Sequence, residues 1–533
     1  MNHLTLSESQ QEAFKYITNN LPKHKVILLE GSAGTGKTTL TKNICNYYNE
    51  TKQVMVCAIA PTHKAKKIIK NILNKNTILP VSALTVASAL GKIKEHSYVG
   101  AQTYSKGNLK KLSSHNLFII DEVSMIRDED LRLIVDFVIT HNRQLIIIGD
   151  SNQIPCPSAK FIVSNIIEKS DSYVFNDPSI HKITLTQIVR QSSDSPIIRL
   201  ATFVRNNLTT DLTFDRIMTT TSFDNIISYD EMYTVFANHF MPTVVNSCRI
   251  ISYTNSSVKT HNAEVRRVLD YNDEYVNGEL LTGYSNIGFP ELIIENGEDY
   301  FIKSVVKTDN YSIGLFTKLC GNKISLRVAD TNVSHNNLFF ININHHANNL
   351  FMSRLIELGE KINSCNSSKI DYRNYMELKN KVIFTDDIYK YEDTIYTETS
   401  FKEIHSLLFT NINEVIENSL PRTCVLATKI ETTYPEIIAT RIKDRYKVFG
   451  DSESFADKFK VIEKDIYYGY AITAHKSQAS TYKSVIVDEM DFQKISNRWN
   501  YKFNKLESRV KEKNQIRYVA YTRASEDLYV VHD

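Results

Sequence analysis

Cysteine clusters, membrane-length apolar runs and an excess of charge of either sign are all missing from this sequence. The 7 cysteines are scattered, with no C-x-x-C pair and no Cys/His cluster at zinc-ligand spacing. That argues against structural zinc and for a reducing compartment in which the cysteines are packing residues. No apolar run approaches the roughly 20 residues needed to span a bilayer. Met1-Asn2-His3 leads straight into a polar helical pattern rather than a signal peptide. The expectation is a soluble, intracellular protein with no membrane partner. Lys+Arg 63 against Asp+Glu 60 leaves a formal charge of only +3. A nucleic-acid partner would therefore have to be engaged by local patterning, not by a global field.

What the sequence does have is length and apolar content, 533 residues at 42% hydrophobic, which calls for several packed domains. Its most informative stretch is Gly31-Ser32-Ala33-Gly34-Thr35-Gly36-Lys37-Thr38, which fits G-x-x-x-x-G-K-[ST]. Val26 to Leu29 reads as a short buried strand before it, and Leu40, Ile44, Tyr47 and Tyr48 repeat at helical spacing after it. Strand, glycine loop and helix together form a phosphate cradle. Backbone N–H groups and the helix N-terminus face the anion, Lys37 reaches the terminal phosphates, and the Thr38 hydroxyl suits magnesium.

Upstream, Ser7 is a helix N-cap with Gln10 in the capping-box position, although a glutamine amide also suits the edge of adenine. Downstream, Val54 to Ala60 reads as a second strand ending at Pro61-Thr62-His63-Lys64, at the sheet edge where open α/β folds bind ligands. Lys64, Lys66, Lys67 and Lys70 then form a basic helix face, suited to a phosphate backbone or simply to solvent. Thr85 to His115 is an excursion of β-hairpin character that would present Tyr98 and Tyr104 at its tip. Leu117 to Ile120 runs into Asp121-Glu122, a pair able to divide the labour of holding magnesium and of deprotonating an attacking water. A further strand, Leu145 to Asp150, ends just before Gln153, placed to sense a terminal phosphate or to fill a turn.

This order describes a RecA-like motor domain, and the strings Gly31 to Thr39, Ala60-Pro61-Thr62-His63-Lys64-Ala65, Ile120 to Met125 and Ile148 to Ile154 resemble superfamily I DNA helicases. The branch most similar is class B, which holds the RecD-like and Dda-like enzymes. Leu185 to Gln191 with Ser195 to Ile198, Arg249 to Asn255, Gly469 to Thr481 and Tyr518 to Ala524 look like its later motifs, in its order. The resemblance implies an α/β fold of two RecA-like parallel-sheet domains: 1–190, with a pin-like excursion at 85–115, and 191–282 completed by 465–533. An accessory insertion over 283–464 would combine an SH3-like β-rich barrel with helices.

It also implies site roles. ATP would be held by Gln10 at the base and by Gly34, Thr35, Gly36, Lys37, Thr38 and Thr39 at the phosphates, with Gln478 nearby; Mg2+ would sit on Thr38 and Asp121. Glu122 and Gln153 would act on the attacking water and terminal phosphate, and Arg190 and Arg523 would stabilise the transferred charge. DNA would be gripped by Pro61, Thr62, His63, Lys64, Thr85 and Asn255, and from the second domain by Thr473, His475, Lys476 and Ser477. The family's usual glycine after Gln478 is Ala479 here, which matters if that position needs positive φ.

The expected activity is ATP-driven, 5′→3′ movement of a monomeric motor on single-stranded DNA, with duplex unwinding in replication, recombination or repair. A single-strand-binding protein or other replication and recombination proteins are the expected partners. An RNA-directed or non-unwinding translocase and an ATP-switched nucleic-acid clamp are the alternatives.

Overall fold

The computed structural model describes residues 6–397 and 460–532, apart from short stretches at 75–78, 93, 97–101, 105–108, 157–159, 164–165, 170–171, 188, 190–194, 243, 289–291, 332, 364–368, 392–393 and 501–504. Among the described residues no helix is long and apolar enough to cross a membrane.

Six short strands build the first sheet: β1 (Val26–Gly31), β2 (Val56–Ala60), β3 (Ser82–Thr85), β4 (Leu117–Ile120), β5 (Gln144–Gly149) and β6 (His181–Leu185). Their spatial order is β6-β1-β5-β4-β2-β3, and every pairing is parallel. Parallel strands covered on both faces must be apolar on both faces, which is why β2 and β4 read as unbroken hydrophobic runs and are buried throughout. One core layer packs Ile27, Leu29, Ala58 and Ile119 against α1 (Glu8–His24) and α2 (Lys37–Lys52). The other packs Leu28, Ile59, Ile120 and Ile147 against α4 (Asp128–Thr140), which follows α3 (His63–Leu73) in the chain. Strand β1 is central, so the phosphate loop leaves the carboxyl edge of the sheet between neighbours on both sides.

A second parallel sheet holds β7 (Ile226–Ile227), β8 (Cys248–Ser252), β9 (Ala471–Thr473), β10 (Tyr482–Asp488) and β11 (Ala524–Val531), in the order β7-β11-β10-β8-β9. The helices α5 (Pro196–Asn206) and α6 (Val510–Tyr521) cover one of its faces. These are the two RecA-like domains. Between β8 and β9 the chain makes a five-stranded antiparallel sheet of Ser334–Ile341, Phe316–Val328, Asp299–Ile313, Leu280–Gly283 and Ile466–Tyr468. Helices Asn349–Asn363 and Lys369–Lys379 follow within the same insertion. The helical spacing read over Phe401 to Ile416 lies outside the described residues.

The excursion after β3 contains Lys94–His96 paired antiparallel with Gln102–Tyr104, in the register Lys94↔Tyr104. Tyr104 ends the second of these strands, and Tyr98 lies outside the described residues.

Candidate nucleotide cleft and nucleic-acid face

The phosphate loop owes its shape to two local features. Gly36 caps α2 with φ of +76°, and a Cβ there would lie 2.2 Å from the Gln10 side chain, so only glycine fits. Gln10 is buried at 3% exposure and does two things at once. Its Oε1 accepts the Ser7 N–H at 3.0 Å, completing the capping box, while its Nε2 donates to the carbonyls of Thr35 at 3.1 Å and Gly36 at 3.3 Å. The amide that the sequence assigns to the base thus braces the loop. Lys37 folds over the same loop and donates to the carbonyls of Gly31 at 2.6 Å and Ser32 at 3.0 Å. From the far side the Val189 N–H donates to the Gly34 carbonyl at 2.9 Å.

Around this loop lies a cleft of about 580 Å³, ample for a nucleotide. Gly34, Gly36, Lys37, Thr38 and Thr39 line it from the first domain with Asp121, Glu122 and Gln153, and Ala479, Ser480, Thr481 and Arg523 line it from the second. Arg190 lies outside the described residues. Desolvation raises both acids above the ordinary carboxylate range. For Glu122, burial first and the adjacent Asp121 second push it up to about 7, against the opposing pull of Arg523 and Lys37. Asp121 is raised by burial although the Glu122 N–H, donating at 2.9 Å, and Lys37 both favour its charge. Two adjacent carboxylates that resist ionising together suit a site completed by a cation.

Glu122 has φ of +53°, a left-handed conformation that costs a non-glycine residue about 1 kcal/mol or more and turns its side chain off the strand end into the cleft. The Gln153 Oε1 atom is buried with no hydrogen-bond partner in the protein. An acceptor left bare at that position fits a water or a magnesium-bound water in the cleft. Among the described residues no group of three or more His, Cys, Asp or Glu could hold a metal ion. A hydroxyl and one acid beside a nucleotide's own phosphate oxygens do not require such a group.

The second domain meets the first through several groups. Gln478 donates its Nε2 to the Ile154 carbonyl at 3.1 Å, and Ile154 itself is buried in the second domain's core. Arg523 is 6% exposed, with Nη1 on the Ser480 carbonyl at 3.1 Å and Nε on the Val519 carbonyl at 3.0 Å. The residue between Gln478 and Ser480 does need positive φ: Ala479 sits at +61°.

On the face assigned to DNA, the structure redistributes the sequence assignments. Thr62, Thr85 and Thr473 each cap a helix, accepting from Ala65 at 3.1 Å, Ser88 at 3.2 Å and Lys476 at 3.3 Å. Thr85 is largely buried, and Ser477 is fully buried with its hydroxyl turned to the Ala474 carbonyl at 2.8 Å, so neither side chain faces a groove. Both serve local folding: Thr85 accepts a backbone N–H at a helix start, and Ser477, the last residue of its short helix, donates back to a carbonyl of the same turn. Pro61, His475 and Asn255 remain at the surface or partly so.

The cations meet an acidic segment that the sequence did not single out for this role. His63 Nδ1 lies 3.4 Å from Glu295, Lys64 Nζ 3.4 Å from Asp299 and Lys67 Nζ 2.9 Å from Glu298. Opposite them Lys476 donates to the Gly283 carbonyl at 2.9 Å and sits over the Tyr284 ring. Burial first, then Lys464 beside it, pushes Lys476 down to about 7.

Residues 5–219 match the AAA domain family. The chain is 28% identical over 314 residues to the ATP-dependent DNA helicase Dda of Enterobacteria phage T4, a match covering 55% of this chain and 66% of that one. The curated relatives it resembles here are ATP-dependent DNA helicases. A second relative, the ATP-dependent RecD2 DNA helicase of Deinococcus radiodurans, is 28% identical over 196 residues, 37% of this chain and 23% of RecD2. This chain thus matches just under two thirds of Dda and about a quarter of RecD2. A crystal structure of the Bacteroides Pif1 helicase with ADP-AlF3 and single-stranded DNA aligns over 99% of this chain and 92% of that one, at a TM-score of 0.46 and 14% identity.

Three residues received no role in the sequence reading although each lies in a quoted string: Val189 and Thr481 line the cleft, and Tyr518 opens the last string. Their signal was nearness in sequence to Arg190, Gln478 and Arg523.

Proposed function

We propose that the chain is an ATP-dependent DNA helicase that moves 5′→3′ along single-stranded DNA and separates the duplex ahead of it. The observation that carries this reading is one cleft lined from both domains, with Lys37 and the Asp121-Glu122 pair on one wall and Arg523 on the other. In the catalytic cycle the loop N–H groups and Lys37 bind the ATP phosphates. Glu122, its affinity for a proton raised by burial, takes the proton from the attacking water as it adds to the γ-phosphorus. Arg523 stabilises the charge that develops on the transferred phosphoryl oxygens, and Arg190 is the expected second arginine. Thr38 and Asp121 would hold Mg2+, which when bound supplies charge neutralisation at the phosphate oxygens.

Hydrolysis removes what holds the two walls together, so the cleft opens and closes once per ATP. His63 and Lys64 follow β2 in the first domain, and His475 and Lys476 follow β9 in the second. Gripping a backbone alternately at these two places converts cleft motion into steps, with little dependence on base sequence. The hairpin after β3 would part the strands.

The test is strand displacement on matched duplexes bearing a 5′ or a 3′ single-stranded DNA tail, with ATP and magnesium, beside Lys37→Ala. Unwinding of the 5′-tailed duplex alone, lost in the variant, supports the whole proposal. Unwinding from the 3′ tail overturns the polarity, and no DNA-stimulated hydrolysis overturns the motor.

A further inference from the structure

Tyr518 lies on α6, five residues before Arg523, and its ring is 2% exposed in the core of the second domain. Its hydroxyl crosses to the first domain. It accepts the Ala33 N–H of the phosphate loop at 2.9 Å and donates to the Asp150 carboxylate at 2.7 Å. Burial, and then the neighbouring Asp150, push the phenol well above its ordinary value, so it stays a donor.

Asp150 is 1% exposed and organises the turn after β5. Its Oδ1 accepts the Asn152 N–H and side-chain amide at 3.0 Å each, and its carbonyl accepts the Gln153 N–H at 3.2 Å. One hydroxyl therefore ties the phosphate loop and the Gln153 turn to the last turn of the helix from which Arg523 emerges. Packing alone explains the ring but not the oxygen, because a phenylalanine would fill the same space. Among the described residues the hydroxyl bonds no group of its own domain, and separating the two domains breaks both of its bonds. One of these is charge-assisted and held away from water, where such bonds count most.

We propose that Tyr518 is a positioning residue for ATP hydrolysis, a latch whose hydroxyl holds Ala33 and Asp150 against α6 so that Arg523 stands in the cleft. This rests on the ATP-hydrolase reading of the cleft. A latch differs from a simple strut in acting through Arg523 and through domain closure, and both differences are measurable.

Tyr518→Phe keeps the ring and removes only the oxygen. The expected result is a fall of about tenfold or more in the DNA-stimulated kcat, with KM for ATP within about twofold of the parent. In an Arg523→Ala background the same change costs less than about twofold, because the residue it positions is gone. Losses that multiply in the double variant overturn the latch. A second readout needs no turnover: dye or spin labels on the two domains report their separation with a non-hydrolysable ATP analogue. Tyr518→Phe shifts that distribution toward the open form, and an unchanged distribution overturns the proposal.

Asp150→Asn retains an acceptor for the phenol and keeps most of the closed population, whereas Asp150→Ala does not. This pair decides the matter if Tyr518→Phe fails to fold, and equal behaviour of the two overturns the proposal. If the parent protein hydrolyses no ATP, the functional reading falls, while the label distances still test the latch.

Discussion

Lys64 and Asp299 face each other at 3.4 Å across the boundary between the first RecA-like domain and the antiparallel sheet of the insertion. Around that pair, Glu295 and Glu298 stand against His63 and Lys67. A stretch of five residues thus presents three carboxylates to three basic side chains on the face proposed for DNA. Under that proposal DNA would compete with the protein's own acids for these side chains. Glu298→Gln weakens the competitor and frees Lys67, so affinity for a labelled single-stranded oligonucleotide should rise about two- to fivefold at low salt and converge on the parent value as salt screens the site. Fluorescence anisotropy across a salt series checks this, and an unchanged or weaker affinity removes the idea of competition.

That contact also marks where sequence reading stops. The parallel sheets were legible because a strand buried on both faces must be continuously apolar, and the phosphate loop because its glycines and lysine have few other uses. Asp121, Glu122 and Gln153 stood out because the acids directly follow such a strand and the glutamine lies in the turn after another. The pairing of Lys64 with Asp299 was not, since it joins residues 235 positions apart through an insertion whose placement no local pattern encodes. Thr85 and Ser477 were assigned to DNA for a related reason: a hydroxyl near a ligand face and a hydroxyl bonded to the backbone of its own helix look alike in sequence. Gln10 keeps its capping-box role, and its amide nitrogen goes to the phosphate loop, a contact that no local pattern announces.

Glu122 sets a pH dependence for hydrolysis. Its pKa is raised to about 7, so below that value the carboxyl is protonated and cannot accept a proton from water. Under saturating DNA, kcat/KM for ATP should climb with pH by up to about tenfold per unit below 7 and level off above it. Glu122→Gln should lower kcat by at least about 10²-fold and abolish that limb while leaving nucleotide binding intact. A variant that retains the parent's pH limb would assign the titration to another group.

Ala479 holds φ of +61° in the loop that lines the nucleotide cleft, where glycine is unstrained. Ala479→Gly relieves a left-handed alanine at the expense of a freer unfolded chain, so the net gain should be about 0.5–1 kcal/mol. Urea unfolding of the two proteins compares them, and a destabilised glycine variant would mean that the methyl's packing against the first domain's core outweighs the strain.

Asp299 does more than face Lys64. Its carboxylate also accepts Arg249 Nη2 at 2.8 Å and the Thr282 hydroxyl, with Arg249 only 1% exposed beneath it. Burial alone would raise this acid, but Arg249 and Lys64 outweigh it and hold Asp299 down to about 2, below its ordinary 3.8. A depressed carboxylate contributes stability that is fully present above the unfolded value and is lost as pH falls through the folded one. The shift corresponds to about 2 kcal/mol, lost between about pH 4 and pH 2. Asp299→Asn removes the charge while nearly conserving shape, leaving Arg249 buried without its counter-ion. The expected cost near neutral pH is about 3–5 kcal/mol, far above that of a surface pair. The variant should also lose part of the parent's acid sensitivity below pH 4. Denaturant melts at pH 7 and pH 3 read both effects; a loss under 1 kcal/mol at pH 7 would mean that Arg249 finds another partner, the Gly469 carbonyl it already touches being the nearest.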